Sequence, residues 1–358
     1  MVNDLEMIEK AEQFIRENKL KEAEEMLLPL LSSHMAHEGR VYFDLGNIDF
    51  LNGDTDCCRE WYDKAILNGY VDYNLLMNYA KLEKVEGNVD ACIKFLKQAR
   101  DINKDNTLTY LVLAGTYLET CDYDSALKTA DGLIREKPSK YDGYHLKATI
   151  MLEDGNEIDQ CLEMLKSVKP LFSLDHYYVY DLANALYNSK DYLQALDTID
   201  AFLASNEGDE IQDILAMKTR VLIALGDYDK VEPVIRELAF TCNNDKAKAA
   251  LAFLLIWQNN ETEALSVLDM LNSAESNPFN RLSAKTISRF IDYKHSGFNA
   301  INMEDVIQEI IDVMLKDEEG YKYLPMLSAA YFMGGKPDKA EDLYKDLLDE
   351  LQINEDAI

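Results

Sequence analysis

Two histidines, His34 and His37, stand three residues apart, the spacing that places both on one helical face. Such a pair could begin a zinc site, but zinc takes three or four ligands and no third lies nearby in the sequence. His145, His176 and His295 are isolated. The six cysteines form no C-x-x-C, which disfavours a zinc ribbon or a thioredoxin-like centre and points to a reduced, intracellular protein. Carboxylate pairs such as Asp209–Glu210 and Glu318–Glu319 could in principle do acid–base chemistry. In a chain with 66 Asp and Glu residues, a pair singles out nothing. No phosphate-cradling, dinucleotide-binding, G-x-S-x-G or H-E-x-x-H motif occurs. The expectation is a protein that is not an enzyme and that needs no metal or cofactor.

Charge narrows the partners. With 36 Lys and Arg against 66 Asp and Glu, the formal charge is 36 − 66 = −30. Non-specific nucleic-acid binding needs cations to neutralise phosphates, and docking on anionic lipid needs the same. Both are disfavoured. The excess suits a solvated, self-repelling surface, or attraction of a basic partner. Met1–Gln13 carries acidic residues where a secretory leader would be basic and then apolar. The longest apolar run, Ala249–Trp257, falls far short of the ~20 residues a membrane span needs. It predicts a helix buried on several sides, and the chain as a whole reads as cytoplasmic, with no membrane insertion.

Positioning of any site falls to a repeat. A turn, a small residue and an apolar pair recur in GDTDCCREWYDKA (Gly53–Ala65), GNVDACIKFLKQA (Gly87–Ala99), CDYDSALKTADGL (Cys121–Leu133) and GDYDKVEPVIREL (Gly226–Leu238). Aligned small residues are Ala23, Cys58, Cys92, Ala126, Cys161, Ala195, Val231, Ala264 and Ala340, with steps of 35, 34, 34, 35, 34, 36, 33 and 76. The last step is about two periods, and Val306 is the marker expected in the gap. Each period predicts two amphipathic helices, A and B, with the small residue where B approaches its neighbours closely. The chain breaks at Lys137–Pro138, since proline cannot continue a helix. Low Gly (15) and Pro (7) and 47% hydrophobic residues fit an all-α chain rather than a turn-rich β protein or a disordered one.

The third full unit, with Tyr110, Leu113, Ala114, Gly115, Tyr117, Ala126 and Pro138, and the second, with Tyr42, Leu45, Gly46, Cys58, Tyr62 and Ala65, resemble the tetratricopeptide repeat. Asp49 stands where that family usually has an aromatic. The resemblance covers nearly the whole chain and implies a right-handed superhelical solenoid of about ten helix-turn-helix repeats, with A helices lining a concave face that binds protein or peptide. The expected organisation is one continuous solenoid: repeats over 1–273, an irregular, degenerate unit over 274–302, and repeats over 303–358 ending in a self-capping helix, Pro337–Leu351. The irregular unit should hold a helical segment, Phe279–Tyr293, and a loop, His295–Asn302.

That register places Phe43, Asn47, Phe50, Asn78, Lys81, Tyr177, Tyr180, Asn184, Tyr187, Arg220 and Trp257 on the peptide-binding face. The alternative for the aromatics is packing between adjacent A helices. Arg281, Lys285, Arg289 and Lys294 recur nearly every four residues, forming either an anion-docking stripe or a stripe neutralised by neighbouring acidic helices. Some family members clamp a chaperone tail's carboxylate with Lys and Asn. Here Asn47 and Asn78 fill the asparagine places but Phe43, Leu108 and Val112 fill the cationic ones, so that activity is expected to be absent. Three functions remain open: a scaffold or adaptor for a protein segment of basic or mixed charge, a receptor for a short signalling peptide or small ligand, and a structural subunit of a larger assembly.

Overall fold

The computed structural model describes residues 4–33, 37–205, 211–273, 277–317, 320–340 and 342–343. They divide into two compact units, Met1–Asp181 and Leu182–Ile358, and α-helix is the main secondary structure of both.

The first unit opens with α1 (Asp4–Arg16) and α2 (Leu20–Leu27), and continues with α3 (Glu38–Asn52), α4 (Thr55–Leu67), α5 (Tyr73–Val85) and α6 (Val89–Ile102). Then come α7 (Thr107–Leu118), α8 (Tyr123–Glu136), α9 (Asp142–Asp154) and α10 (Ile158–Phe172). The helix α11 (His176–Asn188) carries the boundary between the units. The second unit holds α12 (Tyr192–Leu203), α13 (Gln212–Leu225), α14 (Tyr228–Phe240), α15 (Asp245–Trp257) and α16 (Glu261–Ser273). It goes on through α17 (Pro278–His295), α18 (Glu304–Met314) and α19 (Leu324–Met333).

From α1 to α10 in the first unit and from α12 to α19 in the second, each helix packs on the next in sequence, as expected where a repeat buries its apolar face only against neighbours. Every marker of the repeat is buried, from Ala23, Cys58 and Cys92 through Val306 to Ala340. Val306 lies in α18, preceded by the 18-residue α17 and a loop beginning at Ser296. The expected capping helix Pro337–Leu351 lies largely outside the described residues, as do His34, Asp209–Glu210 and Glu318–Glu319.

Part of the acidic content has a structural use. Asp54, Asp72, Asp122 and Asp191 each accept a backbone N–H in the first turn of α4, α5, α8 and α12, satisfying donors that a helix start leaves unpaired. The turn after an A helix needs a left-handed residue. Gly53, Gly87, Gly155 and Gly226 supply it in four of the units, whereas Cys121 (φ 55°) and Lys190 (φ 64°) supply it with a side chain.

 The four glycines have φ of 82°, 77°, 70° and 72°, in the order named. Gly46 has a different reason: a Cβ there would come within 2.5 Å of the Tyr62 ring, so α3 and α4 could not approach as closely.

One expectation needs correction. The apolar run of α15 is not buried on several sides: Leu251, Ala252, Leu255 and Ile256 face the core, while Phe253 and Trp257 are exposed. Asp49, in place of the family's aromatic, accepts the Trp61 indole N–H at 2.9 Å, so a polar contact joins α3 to α4 there.

Candidate functional site

The A helices of the first unit place the expected binding residues unevenly. Phe43 is only 8% exposed and packs on Tyr62 and Tyr70, so it belongs to the core rather than to an open face. The α-helical register placed it one step from the surface, and the neighbouring aromatics draw it inward. Asn47 and Asn78 do come together: Asn78 Nδ2 and the Tyr62 hydroxyl both donate to Asn47 Oδ1 at 2.8 Å. The Asn47 amide nitrogen and the Asn78 carbonyl are not used in this network. Lys81 lies over the Phe50 ring, 5.1 Å from its centre.

Asn47 and Asn78 border a pocket of about 560 Å³ between α1, α3 and α5. Arg40 is fixed in it by Glu12, with Nε and Nη2 at 2.7 and 2.5 Å from the same carboxylate oxygen. Asp72 is likewise engaged, accepting the Leu75 N–H on one oxygen and the Tyr70 hydroxyl on the other. Asp44 is different. Its side chain is 2% exposed and its Oδ2 has no hydrogen-bond partner. Burial, then the nearby Glu12 carboxylate, push its pKa up to about 8 against the opposing pull of Arg40.

A second buried carboxylate stands at the same repeat position. Asp44 precedes its marker Cys58 by 58 − 44 = 14 residues, and Asp181 precedes Ala195 by 195 − 181 = 14. Asp181 is satisfied from within: the Tyr141 hydroxyl donates to it at 2.8 Å, and His145 Nδ1 lies 2.8 Å from the same oxygen. Burial alone would lower the His145 pKa, but the hydrogen bond and charge of Asp181 reverse that and hold it above the usual imidazole value. Neither acid was singled out by sequence reasoning. The available signal was an acidic residue at a helix-A position where other units carry Asn78 or Val112.

Replacing Asp181 by asparagine is expected to cost about 1–3 kcal/mol, the usual loss for a broken buried hydrogen-bond network. The contribution of His145 is present below the unfolded-state histidine pKa and fades as pH rises through the raised folded-state value. Urea midpoints measured across that range should slope downward with pH in the parent and less so in the variant. Equal slopes would remove the His145–Asp181 pair as their cause.

Tyr177 is exposed and sits 5.1 Å from the His145 ring, while Tyr180 is half-buried. In the second unit, Asn184 accepts from Asn188, and Tyr187 packs on Tyr192 with Arg220 4.9 Å over its ring. Trp257 ends α15 near Phe298. The basic stripe of α17 faces acids of α18: Arg281 pairs with Glu309, Lys285 with Glu309 and Asp305, and Arg289 with Asp305 and also with Asp292 of α17 itself. Lys294 donates to the Ile256 carbonyl. These pairings leave the stripe little cationic excess for an outside anion. An apolar pocket of about 710 Å³ also opens in this unit, among Phe253, Phe290, Tyr293, Leu324 and Phe332. Among the described residues, no group of three metal-ligating side chains comes together, and no helix is long and apolar enough to cross a membrane.

Residues 86–150 and 176–205 match two family models, both described as tetratricopeptide repeat. Among solved structures, yeast Tom70 is 17% identical with a TM-score of 0.52, over 78% of this chain and 60% of that one. The C-terminal part of a TPR repeat-containing protein from Cytophaga hutchinsonii is 13% identical with a TM-score of 0.50, over 67% and 97%. At such identities the likeness is one of fold. No curated protein matches the sequence. Residues 86–150 and 176–205 thus carry tetratricopeptide repeats, and the fold is an all-α repeat solenoid.

Proposed function

We propose that this chain is a non-catalytic scaffold or adaptor that holds a segment of another protein along its A helices. The observation that carries the reading is the pocket between α1, α3 and α5, bordered by Asn47 and Asn78 with amide groups outside their mutual hydrogen bond. An asparagine amide can both donate to and accept from a peptide backbone, which suits an extended segment. The net charge of −30 favours a partner of basic or mixed charge. Protein and peptide binding is also the activity shared across this repeat family.

The test is affinity capture from lysate of the source cells with the parent and with Asn47→Ala/Asn78→Ala. The expected result is a protein retained by the parent and reduced at least ten-fold by the double variant, whose circular dichroism stays that of the parent. Identical capture by both would move binding away from this face.

A further inference from the structure

We infer that the pocket between α1, α3 and α5 receives a cationic side chain, a guanidinium or ammonium group, of the bound protein segment, with Asp44 as its counter-charge. This deepens the scaffold reading above and rests on it for the source of the cation.

The argument begins with Asp44 itself. A buried polar atom without a partner costs free energy, and native structures rarely leave one. Asp44 Oδ2 is such an atom, and the Asp44 residue borders a pocket of about 560 Å³. Among the described residues, Arg40 is engaged with Glu12, and both Arg40 and Arg16 act on Asp44 through charge without a hydrogen bond. Asp181 shows what the same repeat position looks like when complete, with a phenol and an imidazole on its carboxylate. At Asp44 Oδ2 the corresponding donor is missing.

The surroundings favour a cation over an anion. Charged groups around Asp44 are Glu12 and Arg16 of α1, Arg40 of α3 and Asp72 at the start of α5, so the pocket holds three carboxyl groups against two guanidiniums. Phe43 and Tyr70, 5.6 Å apart, add aromatic rings to the wall, and a guanidinium also interacts favourably with such rings. An entering cation would find Asp44 largely protonated near neutral pH, because the pKa of the empty pocket is about 8. Binding would restore the charge and release a proton, so affinity should rise from pH 6 to pH 8.

The test uses the full chain and two acetylated, amidated pentapeptides, Gly-Gly-Arg-Gly-Gly and the same peptide with citrulline, the neutral isostere of arginine. Titration calorimetry at pH 6 and pH 8 is expected to show the arginine peptide binding at least ten-fold more tightly than the citrulline one at pH 8. Its affinity should rise several-fold between the two pH values. Asp44→Asn should abolish both differences, while Asp44→Glu should keep part of the preference for arginine. Equal binding of the two peptides, or no binding of either, would overturn the inference. Its failure is separable from that of the scaffold reading, which is decided by capture with the Asn47→Ala/Asn78→Ala variant. Loss of the captured protein there, with no arginine preference here, would leave the scaffold standing and remove the cation.

Discussion

Asp44→Asn is expected to stabilise the protein, by about 2 kcal/mol or more at pH 8, read as a rise in the urea midpoint. The folded carboxyl has a pKa of about 8 against 3.8 as a reference, so the folded state holds its proton more tightly than the unfolded state does. Stability is therefore fullest below the unfolded-state value and is lost as pH rises through about 8. The asparagine variant lacks that loss, so the two proteins should differ least at pH 4 and most above pH 8. A variant no more stable than the parent at pH 8 would mean that Asp44 already has its counter-charge within the chain. A stabilising change at a binding residue is a common conflict, since a site held open for a partner is rarely the most stable arrangement in its absence.

The second large effect is at Tyr62. Its side chain is fully buried, packs against Phe43 and Tyr79 with ring centres 5.9 and 5.5 Å away, and donates to Asn47. Tyr62→Ala is expected to cost about 3–5 kcal/mol, the range for truncating a large core aromatic. Tyr62→Phe keeps the ring and loses only the hydroxyl, at a cost of about 1 kcal/mol. Urea unfolding followed by circular dichroism separates the two. Equal losses would place the stability in the hydroxyl network instead of the ring.

These two residues also show what could be read without the structure. Tyr62 and the markers Cys58, Cys92 and Ala126 obey the period, because close approach of helices at a fixed interval constrains residue size at each step. Phe43 escaped, since helical spacing gives a direction but not the depth of the wall it meets, here Tyr62 and Tyr70. Asp44 and Asp181 were hidden by composition: among 66 acidic residues, only burial separates these two from capping aspartates and solvated ones. The stripe at Arg281, Lys285 and Arg289 was visible, but its partners Asp305 and Glu309 lie across a loop whose path the period does not specify.

The left-handed turns have a consequence for where strain lies along the array. Glycine accepts positive φ freely, whereas the side chains of Cys121 and Lys190 are strained there. In a solenoid held by neighbour contacts, that strain stays local and weakens one hairpin without weakening its neighbours. The strain is thus placed in the α7–α8 and α11–α12 turns, while those at Gly53, Gly87, Gly155 and Gly226 carry none. One backbone position per turn decides where this strain lies, and Cys121→Gly or Lys190→Gly is expected to relieve it in that turn alone.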